Sequence, residues 1–267
     1  MVRPAFLWLA FTAVLGVAAV ATAADPPAAA ALADGGPVYE MRVYYAPAGK
    51  LDALHARFRD HTMKLFERHG MKNMGYFVPV GENPERKLVY FLEHASSPAA
   101  DASWKAFLAD PEWKAAHAAS EKEGKLVDRI VARRMRTTDY SPRPPAAPGR
   151  DGRVFELRTY TATAGNLPAL NARFREHTMG LFAKHGMTNL IYWNFLPDQP
   201  HADRMLVYLL AHDSVDAAGK SFAAFRQDPV WIEAKAASEK KAGGSLTEKE
   251  NGVVSEFLVP TAYSPLR

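Results

Sequence analysis

The sequence reads VYEMRVYYAPAGKLDALHARFRDHTMKLFERHGMKNMGY at Val38–Tyr76 and VFELRTYTATAGNLPALNARFREHTMGLFAKHGMTNLIY at Val154–Tyr192. Of the 39 paired positions in these two stretches, 24 are identical. The similarity resumes at Arg86 and Arg204, and the second copy has two extra residues in an expected hairpin loop. Such self-similarity indicates a tandem duplication of one domain. Any function is therefore expected either once in each copy, or in the surface that the two copies form together.

The first half of each repeat predicts a strand and a long helix. Val38 to Tyr45 alternates between two side-chain faces, which is typical of a β-strand. A helix is expected after Gly49 and as far as about His69, because its apolar residues recur at helical spacing. Gly70 follows at the position where a left-handed helix cap is expected.

The second half of each repeat adds two strands, a broken helix and a last strand. The β-rich runs Asn73 to Val80 and Lys87 to His94 are apolar on both faces, so the sheet is expected to be covered on both sides. A helix opens at Ser97-Pro98, a second at Asp110-Pro111, and the last strand covers residues 127–137. This order predicts an α+β protein of two ferredoxin-like βαββαβ repeats, which cover each other as one pseudo-dimeric α/β barrel.

The chain divides into five predicted segments. Residues 1–23 are interpreted as a cleavable signal peptide, with an apolar run after Arg3 and cleavage after Ala23. A membrane anchor is the alternative, but the run is shorter than the roughly 20 apolar residues that a span needs. We therefore expect a periplasmic or secreted protein. The remaining segments are a disordered tether at 24–36, repeat 1 at 37–142, a Pro-rich linker at 143–152 and repeat 2 at 153–267.

The composition is that of a globular protein and excludes several kinds of chemistry. The hydrophobic fraction is 48% and the formal net charge is +4. The absence of cysteine excludes disulfides, thiolate nucleophiles and cysteine zinc sites. The densest basic run, at residues 133–136, is accompanied by no nucleic-acid-binding motif, so no nucleic-acid partner is expected. Nucleotide-binding glycine loops and serine-hydrolase motifs are also absent from the sequence.

An ordered set of motifs resembles the NIPSNAP domain. In repeat 1 the matching residues are Tyr39, Glu40, Arg42, Tyr44, Gly49, Arg68, His69, Gly70, Asp110 to Trp113 and Tyr140 to Pro142. In repeat 2 they are Glu156, Arg158, Tyr160, Gly165, Lys184, His185, Gly186, Asp228, Pro229, Trp231 and Tyr263 to Leu266. Three positions depart from the pattern, namely Phe155 for the first tyrosine, Val230 for the glutamate of DPEW, and Arg143 for the closing leucine.

The resemblance implies a dimeric α/β-barrel fold but no particular activity. That superfamily also holds small cofactor-free monooxygenases, haem-binding enzymes and isomerases, and the NIPSNAP family itself has no settled biochemical role. A fold alone does not supply a function.

Charged and polar residues on the first strand of each repeat are the main candidates for a site. Glu40, Arg42 and Tyr44 share one face, which is expected to look into the barrel if the other face packs on the helices. One interpretation is a ligand cavity in which the arginine receives an anionic or carbonyl group. The other is a structural ion pair that sets the barrel register. The remaining cavity candidates are His61, Tyr76, Tyr90, Glu156, Arg158, Tyr160, His177, Tyr192 and Tyr208.

The histidines are expected to serve structure. Six of the nine stand in matched pairs: His61 and His177, His69 and His185, and His94 and His212. HExxH and HxH spacings are absent, so neither a metal site nor a cofactor is expected.

Two functional hypotheses follow from these patterns. The first is an exported NIPSNAP-type protein that binds a small, partly apolar ligand or acts as an interaction module. The alternative is a cofactor-free monooxygenase, oxidase or isomerase acting on an aromatic or carbonyl compound, and haem handling ranks below both. A stable membrane anchor is not expected, while a higher oligomer is allowed. A large barrel cavity lined by Glu40, Arg42 and a histidine would favour an enzyme, whereas a filled interior would favour a binding or structural role.

Overall fold

The computed structural model describes residues 36–143 and 151–267. The predicted signal peptide, all but the last residue of the predicted tether and residues 144–150 of the linker lie outside the described residues. Within the described ranges, no helix is long and apolar enough to cross a membrane.

Each repeat has four strands and four short helices. In repeat 1 the strands are β1 (Val38–Tyr45), β2 (Lys72–Pro79), β3 (Lys87–His94) and β4 (Arg129–Thr137), and the helices are α1 (Leu51–Arg57), α2 (Met63–Arg68), α3 (Ser97–Ala109) and α4 (Pro111–Ser120). In repeat 2 the strands are β5 (Val154–Thr161), β6 (Thr188–Phe195), β7 (Met205–His212) and β8 (Val253–Pro260), and the helices are α5 (Leu167–Arg173), α6 (Met179–Lys184), α7 (Val215–Gln227) and α8 (Pro229–Ala242).

The eight strands close into one antiparallel barrel in the order β1-β3-β2-β8-β5-β7-β6-β4. Two strand pairs join the repeats: β2 pairs with β8, and β4 pairs with β6. Closure leaves neither repeat with an open sheet edge at these positions, which removes a template for aggregation. The prediction that the two repeats form one pseudo-dimeric barrel is confirmed.

The barrel interior is filled by apolar side chains from both repeats. Tyr39 and Met41 of β1 point inward, beside Phe91, Phe155 and Trp193. The rings of Phe91 and Trp193 stack with centroids 5.3 Å apart, so the two repeats share one core. A gap of only about 20 Å³ remains there. Within the part of the chain that the structure describes, this gap is too small for a ligand.

The helices cover the outer face of the barrel and contain one feature that the sequence did not predict. A turn of π-helix, Phe58–Thr62, joins α1 to α2, and Phe174–Thr178 joins α5 to α6 in the same way. The Thr62 hydroxyl donates to the carbonyl of Arg57 at 3.1 Å, which spans the widened turn. Gly70 follows the helix at a φ of 78°, a conformation that glycine adopts without strain.

Each repeat ends in a tail that packs on the other repeat. Tyr263 lies 5.5 Å from Tyr76 between ring centroids, and Ser264 Oγ accepts the backbone N–H of Tyr76 at 2.9 Å. In the opposite direction, Tyr140 lies 5.7 Å from Tyr192. Because each tail completes the helix layer of the other repeat, neither repeat has a complete core alone.

Candidate functional site

A buried carboxylate and guanidinium form the centre of the polar cluster in repeat 1. Arg42 Nη1 donates to Glu40 Oε1 at 2.5 Å, and its Nη2 donates to the Tyr44 hydroxyl at 3.4 Å. Trp104 Nε1 donates to Glu40 Oε2 at 2.7 Å, and His94 Nε2 lies 3.2 Å from the same oxygen. The Arg42 guanidinium carbon also lies 4.3 Å from the centre of the Trp104 ring, within cation–π range.

Repeat 2 builds the same cluster with one different donor. Arg158 Nη1 donates to Glu156 Oε1 at 2.5 Å, and His212 Nε2 lies 3.0 Å from Glu156 Oε2. Phe222 stands at the position of Trp104 and has no N–H to donate. Instead, Ser255 Oγ donates to Glu156 Oε1 at 2.5 Å. The carboxylate is thus held by three side chains in both repeats.

The expectation that this face looks into the barrel is wrong. Glu40, Arg42 and Tyr44 point outward, under the helices, while Tyr39 and Met41 on the opposite face point inward. The physical reason is that barrel closure removes its inner face from water completely, so that face is the apolar one. The outer face meets helices that supply the polar partners of Glu40.

The ionisation of Glu40 argues against a role as a proton acceptor. Burial alone would raise the pKa of Glu40, but the contacts with His94, Arg42 and Trp104 lower it to about 2. The pKa of Glu156 is lowered by the equivalent contacts, against the same effect of burial. A carboxylate with such a low pKa is a weak base at neutral pH, and its role is to hold the arginine.

A cavity of about 710 Å³ lies between the barrel and the helices of repeat 1. Its apolar wall includes Phe58, Phe66, Trp104, Phe107, Trp113 and Ile130. Its polar wall includes Arg42, Tyr44, Arg57, Thr62, His117 and Glu121. A cavity of this volume that combines aromatic walls with polar groups is in the range of small-molecule sites.

Arg57 is a cavity residue that the sequence analysis missed. It is 4% exposed, donates to Glu121 Oε1 at 2.9 Å and lies over the Trp113 ring at 5.4 Å. The π-helical turn begins directly after Arg57 and is held by the Thr62 hydroxyl. Turns of this kind recur at functional sites. The sequence does contain a signal for this residue: Arg57 lies within the apolar stripe of the helix and is repeated as Arg173.

The structure does not bring several sequence candidates to the cavity. His61 is exposed, and the side chain of His177 is 41% exposed beside Glu176. The four tyrosines, Tyr76, Tyr90, Tyr192 and Tyr208, are buried and stacked under the helices, where burial raises their pKa values. They pack between the barrel and the helices and do not form a binding surface.

The remaining paired histidines bind carboxylates. His69 Nε2 lies 2.7 Å from Asp110 Oδ2, and His185 Nε2 lies 2.8 Å from Asp228 Oδ2. These contacts join the end of α2 to the start of α4 in repeat 1, and the end of α6 to the start of α8 in repeat 2. Among residues 36–143 and 151–267, no group of three or more histidine, aspartate or glutamate side chains is arranged to hold a metal ion.

The NIPSNAP family model matches residues 39–142 and 155–265, so the chain belongs to the NIPSNAP family and carries its domain twice. A search of curated proteins finds no significant match. The fold and the family thus agree with the two repeats seen in the sequence.

Solved structures with the same fold include proteins described as oxidative enzymes. A proposed monooxygenase from Lactobacillus acidophilus has a TM-score of 0.51 at 9% identity, over 84% of this chain and 94% of that chain. A proposed monooxygenase from Fusobacterium nucleatum gives 0.52 at 10% identity, over 85% and 93%. An anthrone oxidase-like protein gives 0.53 at 13% identity, over 84% and 91%. At these identities the likeness shows the fold alone.

Proposed function

We propose that this exported protein binds a small, flat, partly apolar molecule in the helix–barrel cavity of repeat 1. The observation that carries this proposal is the cavity itself, about 710 Å³ in volume and walled by aromatic rings. Arg42 is the polar anchor at its inner end, since its side chain is 15% exposed and borders the cavity. A carbonyl or anionic oxygen would accept from this guanidinium, beside the Tyr44 hydroxyl.

Filling the cavity tests this function directly. Val127 lines the cavity, and Val127→Phe should occupy part of the space without introducing charge. Val80→Phe is the matched control, because Val80 is an exposed valine outside the cavity lining. We expect 9-fluorenone, a flat aromatic ketone, to quench tryptophan fluorescence of the wild type and of Val80→Phe. Binding should be lost or weakened at least tenfold in Val127→Phe, and equal binding by all three proteins would contradict the proposal.

Export is a separate part of the proposal and is supported by the apolar run and small residues ahead of Ala23. Mass spectrometry of the protein from a cell fraction outside the cytoplasm should give a chain that begins at Ala24. A chain that retains Met1 would contradict it.

Catalysis by the same cavity is the second candidate, and the position of one histidine favours it. His117 lines the cavity, with Nε2 3.4 Å from Glu121 Oε1, and is better placed than Glu40 to accept a proton. Anthrone, a flat aromatic ketone, would lose a proton from carbon and react with O₂ to give anthraquinone and water. Oxygen uptake above the uncatalysed rate, abolished in His117→Gln, would support this function. Uptake equal to the uncatalysed rate would leave ligand binding as the function.

A further inference from the structure

The cations around the cavity lie at two levels with different partners. At the inner level, Arg42 is paired with Glu40 at 2.5 Å, and Arg57 is paired with Glu121 at 2.9 Å. Each of these buried positive charges is therefore already balanced by a carboxylate. A neutral hydrogen-bond acceptor, such as a ketone oxygen, matches the inner end better than a further negative charge.

The mouth of the cavity has positive charges that are not balanced. Lys114 and Arg129 line the mouth and are exposed, and neither forms an ion pair with a described residue. The Arg129 guanidinium carbon lies 3.5 Å from the centre of the Tyr45 ring, which holds it at the mouth. The third cation, Lys125, is paired with Asp128 at 2.7 Å.

The fold does not require these two cations, because repeat 2 does without them. Asp110-Pro111 and Asp228-Pro229 start matching helices, and Ile232 stands where repeat 1 has Lys114. The register of the last strands likewise places Gly252 where repeat 1 has Arg129. The cationic mouth is thus a property of the repeat whose cavity is described above.

We infer that the ligand is an aromatic keto acid, bound with its carbonyl oxygen at Arg42 and its acidic group at Lys114 and Arg129. The inference rests on the proposed function of the cavity and adds the class of ligand and its orientation. The exposed Leu108 and Ile130, at 57% and 46%, also border the cavity and would contact the apolar body of the ligand between the two ends.

The test compares one neutral ketone with its acids. The probes are 9-fluorenone, 9-fluorenone-2-carboxylate and 9-fluorenone-4-carboxylate, titrated into wild type and into Lys114→Gln/Arg129→Gln. The variant lacks the two surface ion pairs with the acidic group of the ligand. At least one acid should therefore bind it about three- to tenfold more weakly than it binds wild type. The affinity for 9-fluorenone should change less than twofold. Added NaCl should weaken binding of the acid to wild type but not of the ketone, since the mouth is open to solvent.

A variant with the same change in charge elsewhere is the control. Lys105→Gln/Lys122→Gln removes two positive charges from residues outside the cavity lining and should leave all three affinities unchanged. If the mouth variant weakens neither acid, or weakens ketone and acid equally, the keto-acid inference is overturned and the cavity proposal stands. If wild type binds none of the three probes, the cavity proposal fails and the inference fails with it.

Discussion

Repeat 1 and repeat 2 hold the same buried carboxylate with different third donors. In repeat 1, Trp104 donates to Glu40, and the matching position on the last strand is Ala132. In repeat 2, Phe222 cannot donate, and Ser255 donates to Glu156 instead. The two changes compensate for each other, because a buried charge must keep its hydrogen bonds. What the fold requires is the number of donors to the carboxylate, not their identity.

The cavity lining of repeat 1, in contrast, is matched only in part in repeat 2. Unlike residues at equivalent positions include the pairs Leu108 and Arg226, Lys114 and Ile232, and His117 and Lys235. Lys235 keeps a contact with Glu239 that matches the contact of His117 with Glu121, whereas the other two exchanges add or remove a positive charge. The Glu–Arg pair therefore has a structural role in both repeats, and the lining residues that differ are where a function specific to repeat 1 is expected.

The largest expected effect tests whether the ion pair is structural in both repeats. Arg42→Ala leaves Glu40 buried without its cation and should lower the free energy of unfolding by about 3–5 kcal/mol. Arg158→Ala should have the same effect through Glu156, because the two pairs have equal distances and burial. Urea unfolding of both variants measures the losses.

The double variant Glu40→Gln/Arg42→Met is the control for this prediction. It removes both charges together and should recover most of the stability that Arg42→Ala loses. If Arg42→Ala and Arg158→Ala both lose little stability, the ion pairs are not structural. If only one of the two variants loses stability, the two clusters are not equivalent.

The second prediction concerns the pH dependence of the same cluster. The pKa of Glu40 is lowered from 4.5 to about 2, so the folded state keeps this carboxylate ionised where the unfolded chain binds a proton. Its contribution is complete above about pH 4.5 and is lost as the pH falls towards 2, amounting to about 3 kcal/mol. Glu40→Gln lacks this contribution. The stability difference between wild type and Glu40→Gln should therefore shrink by that amount between pH 5 and pH 2, and a constant difference would contradict it.

The sequence could predict the architecture because local signals and closure agree. The alternation of side chains between two faces predicted strand β1. Asp110-Pro111 predicted the break between α3 and α4, since aspartate caps the helix and proline starts it. Strands apolar on both faces predicted that the repeats cover each other. Those signals depend only on neighbouring residues, which is why they are readable without a structure.

The location of the site could not be predicted in the same way. Alternation separates Glu40 from Met41 but does not say which face is inside a closed barrel. The prediction that His61 lies at the cavity is wrong for a different reason, namely the π-helical turn. One extra residue in that turn places Thr62, rather than His61, on the buried face, and the 3.6-residue period used for the prediction cannot anticipate it.

The third prediction converts the cluster of repeat 1 into that of repeat 2. Trp104→Phe removes one hydrogen bond to a charged group and should cost about 1.5–3 kcal/mol of stability. Adding Ala132→Ser supplies the hydroxyl that Ser255 provides in repeat 2, so the double variant should recover at least half of the loss. Thermal and urea unfolding of the two variants measures this recovery. Ala132→Ser alone should change stability by less than about 0.5 kcal/mol, and the absence of recovery would refute the proposed compensation.

The smallest expected effect concerns the tails that the repeats exchange. Tyr263 of repeat 2 places its hydroxyl 2.7 Å from His55 Nδ1, while the Tyr140 hydroxyl donates to Asn171 Oδ1 at 2.8 Å. His55 and Asn171 occupy the same position in the two repeats, so His55→Asn imports the contact that repeat 2 already uses. At pH 7.5, where His55 is neutral, this exchange of one hydrogen-bond partner for another should change stability by less than about 0.5 kcal/mol.

The pH dependence of His55→Asn separates the two kinds of contact. Burial lowers the pKa of His55, and nearby Asp52 opposes this effect only in part. A histidine with a lowered pKa binds its proton more readily in the unfolded chain, so its contribution is present above about pH 6.5 and is lost as the pH falls below that value. Wild type should therefore lose more stability than His55→Asn between pH 7.5 and pH 5.5, as measured by urea unfolding. Tyr140→Phe, which removes the hydroxyl that contacts Asn171 and leaves His55 in place, should show the pH dependence of the wild type. Equal pH profiles for wild type and His55→Asn would mean that the two tail contacts are interchangeable at every pH, and that the repeats differ in donors but not in their response to acid.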